Sequence, residues 1–302
     1  MGWNNPNVPW NEIERTLSDR TPSGRVVDFW AGDGGDSPAW TRTRGAYRPP
    51  AEPIRCRGSV PYAELHCHSN FSFLDGASHP EELVEEAARL GLEALALTDH
   101  DGFYGVVRFA EAARVIGLPT VFGSELTVLS SPGGPADRSS RVGGAEPDPV
   151  RPGPADPAGD HLLVLARDPR GYALLGRAIS EGQLAGEKGG PRIAYERLAE
   201  IGGAGTGDHW LVLTGCRKGP VPRALEREGP GAARRALERL VADFGRGNVV
   251  VELWDHGLPT DSVRNDALAG LAIAGGLDLV ATGNVHHHSV ARHRLAGAMA
   301  AV

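Results

Sequence analysis

Five short apolar runs of this chain end in residues that bind metals. The first closes on His66-Cys67-His68, with Asp75 seven residues after His68; the second closes on Thr98-Asp99-His100 and the third on Gly123-Ser124-Glu125. A fourth run opens with His161 instead of ending on a ligand type, and the fifth leads into Thr214-Gly215-Cys216. The sixth contains Glu252 with Asp255 and His256 behind it, and the seventh runs out into Asn284-Val285-His286-His287-His288. In a strand, residues i and i+2 share a face, so His66 and His68 point to one centre while Cys67 points away, and Asn284 and His286 pair likewise. Imidazoles bridged by carboxylates suit zinc, manganese or iron, and there are more candidates than the four ligands of a structural zinc site. Two or three divalent metals are expected. Metals about 3.5–4 Å apart activate a water and steady the attacking and leaving oxygens of phosphoester cleavage.

Not every such residue belongs to this set. His79, His209 and His293 read as surface or hydrogen-bonded histidines, and Cys56 and Cys67 read as bystanders. Cys216 competes with an ordinary role as a buried thiol. Alternation turns at least one of His287 and His288 away, so both read as loop.

The elements that must position these side chains follow from the hydrophobic pattern. Seven apolar runs, at 62–65, 94–97, 120–122, 162–166, 210–213, 249–253 and 277–281, alternate with segments of helical spacing at 80–90, 104–116, 172–184, 193–201, 232–244 and 263–274. Alternation of this kind predicts βα units, a parallel sheet and a closed or nearly closed barrel, with the site at the carboxyl ends of its strands. Residues 130–160 break the rhythm with thirteen Gly or Pro and no aromatic, Leu or Ile, which predicts a disordered surface insertion. Residues 1–60 hold four of the six tryptophans with little periodicity and read as an extension, leaving 61–302 as the barrel domain.

Composition bounds the rest. The chain has 302 residues, 41% of them hydrophobic, and a formal charge of -7, so it can bury a full core and lacks the bulk positive charge of nonspecific nucleic-acid binders. No apolar run approaches the roughly 20 residues of a membrane helix, and the start is polar and Pro-containing, without a secretory pattern; a cytoplasmic location is expected. Three cysteines argue against a disulfide framework. Walker loops, strand-borne G-x-S-x-G and dinucleotide fingerprints are missing from the sequence.

At His66-Cys67-His68, Thr98-Asp99-His100, Gly123-Ser124-Glu125 and Asn284-Val285-His286 the sequence resembles the polymerase and histidinol phosphatase (PHP) family of metal-dependent phosphoesterases. Within it, Tyr62 to Gly76, His161 to Ala166 with Gly171-Tyr172, and Thr214 to Gly219 are similar to the N-terminal domain of bacterial C-family DNA polymerases. The Trp-bearing start, Arg44 to Tyr47 and Arg294 to Ala300 resemble the error-prone, actinobacterial branch. The resemblance implies an α/β fold, a distorted (β/α)7 barrel of PHP type. It implies metal ligands at His66, His68, Asp75, His100, Glu125, His161, Cys216 and His286.

The resemblance also implies a part in template-directed DNA synthesis during damage tolerance and repair. DNA, the sliding clamp and other mutasome proteins would be reached mainly through regions beyond this chain. Polymerases of this type are several-fold longer, and the palm carboxylates are absent here, so a fragment or a truncated product is expected. One position departs from the pattern: Asn284 stands where metal-binding relatives carry Asp, and a neutral amide is a weaker ligand that cannot act as a base. Two other readings are a stand-alone phosphoesterase or 3′-5′ exonuclease and a non-catalytic scaffold.

Overall fold

The computed structural model describes residues 47–49, 60–129, 159–187 and 190–301. The chain divides into two units, Met1–Arg48 and Pro49–Val302, and every element below belongs to the second. Most of the expected extension over 1–60 lies outside the described residues, as does the expected insertion up to residue 158. The insertion's expected last residue, Asp160, is instead the first residue of a strand.

Eight strands, β1 (Ala63–Glu64), β2 (Ala94–Leu97), β3 (Thr120–Leu129), β4 (Asp160–Ala166), β5 (Ile193–Ala194), β6 (Trp210–Leu213), β7 (Val249–Leu253) and β8 (Leu279–Ala281), form one sheet in the order β1-β2-β3-β4-β6-β7-β8, with β5 attached to β3. The sheet curls and meets itself at the carboxyl ends. Cys67 beyond β1 bridges Val285 beyond β8 in parallel, with His68 N donating to Val285 O and Val285 N donating to His66 O, both at 2.8 Å. Seven strands therefore make the nearly closed barrel that the pattern predicted, in the distorted α/β form that the resemblance implied.

One strand runs against the expectation of a parallel sheet. β4 is antiparallel to both β3 and β6. A parallel neighbour needs a crossover connection, usually a helix, and the 130–159 sequence between β3 and β4 carries no helical pattern. Because β4 is reversed, its first residues lie at the same end as the carboxyl ends of its neighbours. That places His161, which opens its run, with ligand types that close theirs.

Among the described residues eight helices lie between or after the strands: α1 (Pro80–Leu90), α2 (Val106–Ile116), α3 (Pro169–Ala185), α4 (Tyr195–Gly202), α5 (Pro220–Glu228), α6 (Pro230–Phe244), α7 (Asp261–Gly275) and α8 (His293–Ala300). Local chemistry sets their ends. Pro80 occupies the first turn of α1 with Glu81 and Glu82 complementing the helix dipole, and Gly91 ends it at φ 73°. In α3, Asp168 caps the start by accepting from Gly171 N at 2.7 Å.

Strand alternation divides the interior. Leu162 and Val164 of β4 join Trp210, Val212, Val249, Val251 and helix residues such as Leu175 and Leu240 in the outer core. Leu163, Leu165, Ala96 and Leu213 form a separate, all-strand cluster inside the barrel. By the same alternation His161, Glu125 and Glu252 face inward.

Candidate metal centre

Glu125 stands at the centre. Its Oε2 lies 3.4 Å from His68 Nε2, 3.4 Å from His100 Nδ1 and 3.5 Å from His161 Nδ1, and its Oε1 lies 3.6 Å from His66 Nε2. His66 Nε2 and His68 Nε2 face each other at 3.1 Å, as alternation along the segment after β1 requires. Asp75 gathers the outer side, with Oδ2 3.3 Å from His100 Nε2, 3.1 Å from His286 Nδ1 and 3.9 Å from His68 Nδ1. The imidazole of His68 stacks between those of His100 and His286, at centroid distances of 4.6 and 5.1 Å.

Loops hold the remaining members. A Cβ on Gly76 would come within 1.9 Å of the Ser69 carbonyl, so the loop carrying Asp75 closes tightly because this residue is glycine. Ala77 N ties the same loop to His286 O at 2.7 Å. At Gly215 φ is 84°, and a Cβ would sit 2.4 Å from His161 O; glycine makes the turn that brings Cys216 Sγ to 3.9 Å from His161 Nδ1.

Three overlapping groups have ligand atoms mutually close enough to hold one ion each: His66, His68 and Glu125; His68, Asp75 and His100; and His100, Glu125 and His161. Six of the eight expected residues thus fall into shared groups. Cys216 and His286 belong to none of the three groups: Cys216 meets His161, and His286 meets Asp75 and stacks on His68. Asn284 has φ 43° and a buried Oδ1 with no hydrogen-bond partner. His100 Nδ1 and Glu125 Oε1 are likewise buried without a hydrogen-bond partner. Polar atoms left this way cost free energy unless something else satisfies them, and a cation among imidazoles and carboxylates would do so. The residues present fit a metal cluster.

Charge is arranged to match. Burial opposes ionisation of Glu125, but the imidazoles of His66 and His100 hold its carboxyl well below the usual carboxylate range. Asp75 is likewise raised by burial and brought well down overall by hydrogen bonds from His100 and His286. Burial and the neighbouring His100 push the His68 imidazole below its ordinary value. The Lys218 amine is lowered overall by burial, with the charges of Glu125 and Asp75 pulling it partly back up.

Supporting residues were harder to read in the sequence. Glu252 accepts from His66 Nδ1 at 2.7 Å rather than joining any of the three groups. Asp99 accepts from Ser69 N, Ser69 Oγ and Ser72 Oγ at 2.8–3.0 Å, and Ser72 Oγ in turn meets His68 Nδ1 at 3.3 Å and accepts from His100 N at 3.1 Å. Their only sequence signal was a polar residue in or beside a strand end. Of the histidines set aside, His209 Nδ1 meets Asp168 Oδ2 at 2.7 Å and His288 pairs with Ser78 Oγ at 2.8 Å, whereas His79 bonds Glu82 Oε2 through its backbone N–H at 2.9 Å and its buried Nδ1 has no hydrogen-bond partner. His293 and His287 meet ring to ring at 6.1 Å. Cys67 is fully buried and faces away from the cluster, at the border of a separate cavity of about 390 Å³ under α1. Among the described residues no helix is long and apolar enough to cross a membrane.

Known proteins place this arrangement. The chain is 52% identical over 303 residues to the error-prone DNA polymerase of Mycobacterium bovis, which covers all of this chain and 25% of that protein. It is 48% identical over 329 residues to the error-prone DNA polymerase of Nocardia farcinica, with all of this chain and 28% of the relative covered. The error-prone DNA polymerase of Symbiobacterium thermophilum is 36% identical over 242 residues, 76% of this chain and 19% of its own. The chain thus spans about a quarter of the length of these relatives. Residues 64–256, the stretch that runs from the first histidine pair to the loop behind Glu252, match the family model described as the PHP domain, and the chain belongs to that family.

Proposed function

We propose that this chain is the PHP portion of an error-prone DNA polymerase and that its barrel end is a metal-dependent phosphoesterase site acting on nucleotide ends. The observation that supports it best is Glu125, a buried carboxylate within 3.6 Å of four imidazoles, with Asp75 bridging further imidazoles beside it. Polymerisation itself, DNA binding and contacts with the clamp and other mutasome proteins belong in this reading to the remaining three quarters of the relatives' length.

The eight residues His66, His68, Asp75, His100, Glu125, His161, Cys216 and His286 would hold two or three divalent metals, either zinc, manganese or iron. When bound, such ions activate water and neutralise charge developing on a phosphoryl group. The chain's own residues do the rest. Glu125 and Asp75 remain ionised and keep the imidazoles aimed inward, the all-strand cluster below excludes water, and Lys218 offers a cation for a phosphate oxygen.

Asn284 favours a second reading, a site that binds fewer ions and serves the fold alone, because an amide replaces an expected carboxylate. Release of nucleotides from a DNA 3′ end, measured with and without added Mn2+ or Zn2+, separates the two. Metal-dependent release that is abolished by a His66→Ala and His68→Ala double variant supports the phosphoesterase; equal release from wild type and double variant overturns it.

A further inference from the structure

We infer that Glu252 is a positioning residue for the metal cluster: it holds the His66 ring so that Nδ1 carries the proton and the Nε2 lone pair faces Glu125 and His68. This rests on the metal reading above and extends it to a residue outside the eight expected ligands.

The geometry is specific. Glu252 Oε1 lies 2.7 Å from His66 Nδ1, and it also accepts from Thr282 Oγ1 at 2.6 Å. An ionised carboxylate oxygen is an acceptor only, so the ring nitrogen facing it must be the donor. In the neutral ring the other nitrogen carries no proton, and it points into the cluster, 3.1 Å from His68 Nε2 and 3.6 Å from Glu125 Oε1. Both residues are held from the backbone side as well. His66 N donates to Glu64 Oε1 at 2.9 Å, and Glu252 N donates to Thr214 Oγ1 at 3.0 Å.

Glu252 is fully buried, and its Oε2 has no hydrogen-bond partner. Burying a carboxylate in that state is costly, and packing alone would be served better by an apolar side chain. An anion beyond a ligating imidazole instead fixes the tautomer and makes the ring a stronger donor.

The test is the affinity of the full chain for Zn2+ by chelator competition in wild type, Glu252→Gln and Glu252→Leu, with melting of the metal-free proteins as the folding control. Zinc-loaded protein labelled with ¹⁵N-histidine supplies the spectroscopic arm. Loss of the carboxylate should weaken binding by about 10- to 100-fold in Glu252→Leu, and Glu252→Gln, whose amide oxygen still accepts from Nδ1, should fall between. The His66 Nδ1–H resonance should be present in wild type and lost in Glu252→Leu. If Glu252→Leu does not fold, Glu252→Gln and the wild-type resonance carry the test. Unchanged zinc affinity in a folded variant, or a wild-type His66 that binds zinc through Nδ1, overturns the proposal alone. A wild type that binds no zinc overturns the metal reading with it.

Discussion

Replacing Glu125 with Gln removes one negative charge from the point on which four imidazoles converge. Any ion held by His66 and His68, or by His100 and His161, must lie between ring nitrogens that are themselves 3.4–3.6 Å from the carboxylate oxygens. Two unit charges about 4 Å apart attract by about 4 kcal/mol at an effective dielectric of about 20. At about 1.4 kcal/mol per decade, that is close to a thousandfold in affinity for each unit of cationic charge felt. Gln has nearly the same shape and leaves the barrel interior packed, so fold and affinity can be read separately. Chelator competition with Zn2+ gives the affinity, and circular dichroism reports the fold. A folded Glu125→Gln protein that binds zinc within about tenfold of wild type would refute the central place given to this carboxylate.

Four further outcomes follow from the same structure. Asn284→Asp should raise the metal content and any 3′-end release, as measured by elemental analysis and nucleotide release; no change in either would remove this position as the limiting one. Trp210→Ala should cost about 3–5 kcal/mol in urea unfolding, because the indole is buried against Gly202 and Phe244 and its Nε1 donates to Gly171 O. Lys218→Ala should raise KM more than it lowers kcat in the release assay if the amine meets substrate phosphate. The Asp261 carboxyl is pushed up by burial but brought down to about 2 by the backbone N–H groups of Leu258 and His256 and by Arg264. A depressed folded pKa stabilises above the ordinary value of 3.8 and loses that effect as pH falls through about 2. The melting-temperature gap between wild type and Asp261→Asn should therefore be full near pH 5 and close toward pH 2.

Much of this was legible in the sequence because a period of two fixes which residues share a face. His66 with His68, and His100 just beyond β2, needed only that rule and the convergence of strand ends in a barrel, whereas Glu125, expected just past a run at 120–122, lies within β3, which continues to Leu129. The direction of β4 was not legible, since alternation reads the same forward and backward; only the missing helix between β3 and β4 hinted at it. Helix α5 was hidden by two prolines and four charged residues in nine, and β5 is two residues long. The role of Glu252 depends on which side chain stands beside it across the barrel, 186 positions earlier in sequence, and no local pattern carries that information.

The most direct measurement is the metal content of the protein purified without chelator, by elemental analysis against protein concentration. Two or more equivalents of zinc, manganese or iron per chain, lost in Glu125→Gln and in the His66→Ala and His68→Ala double variant, is the result the cluster predicts. Less than one equivalent in the wild type, unchanged in those variants, would contradict it.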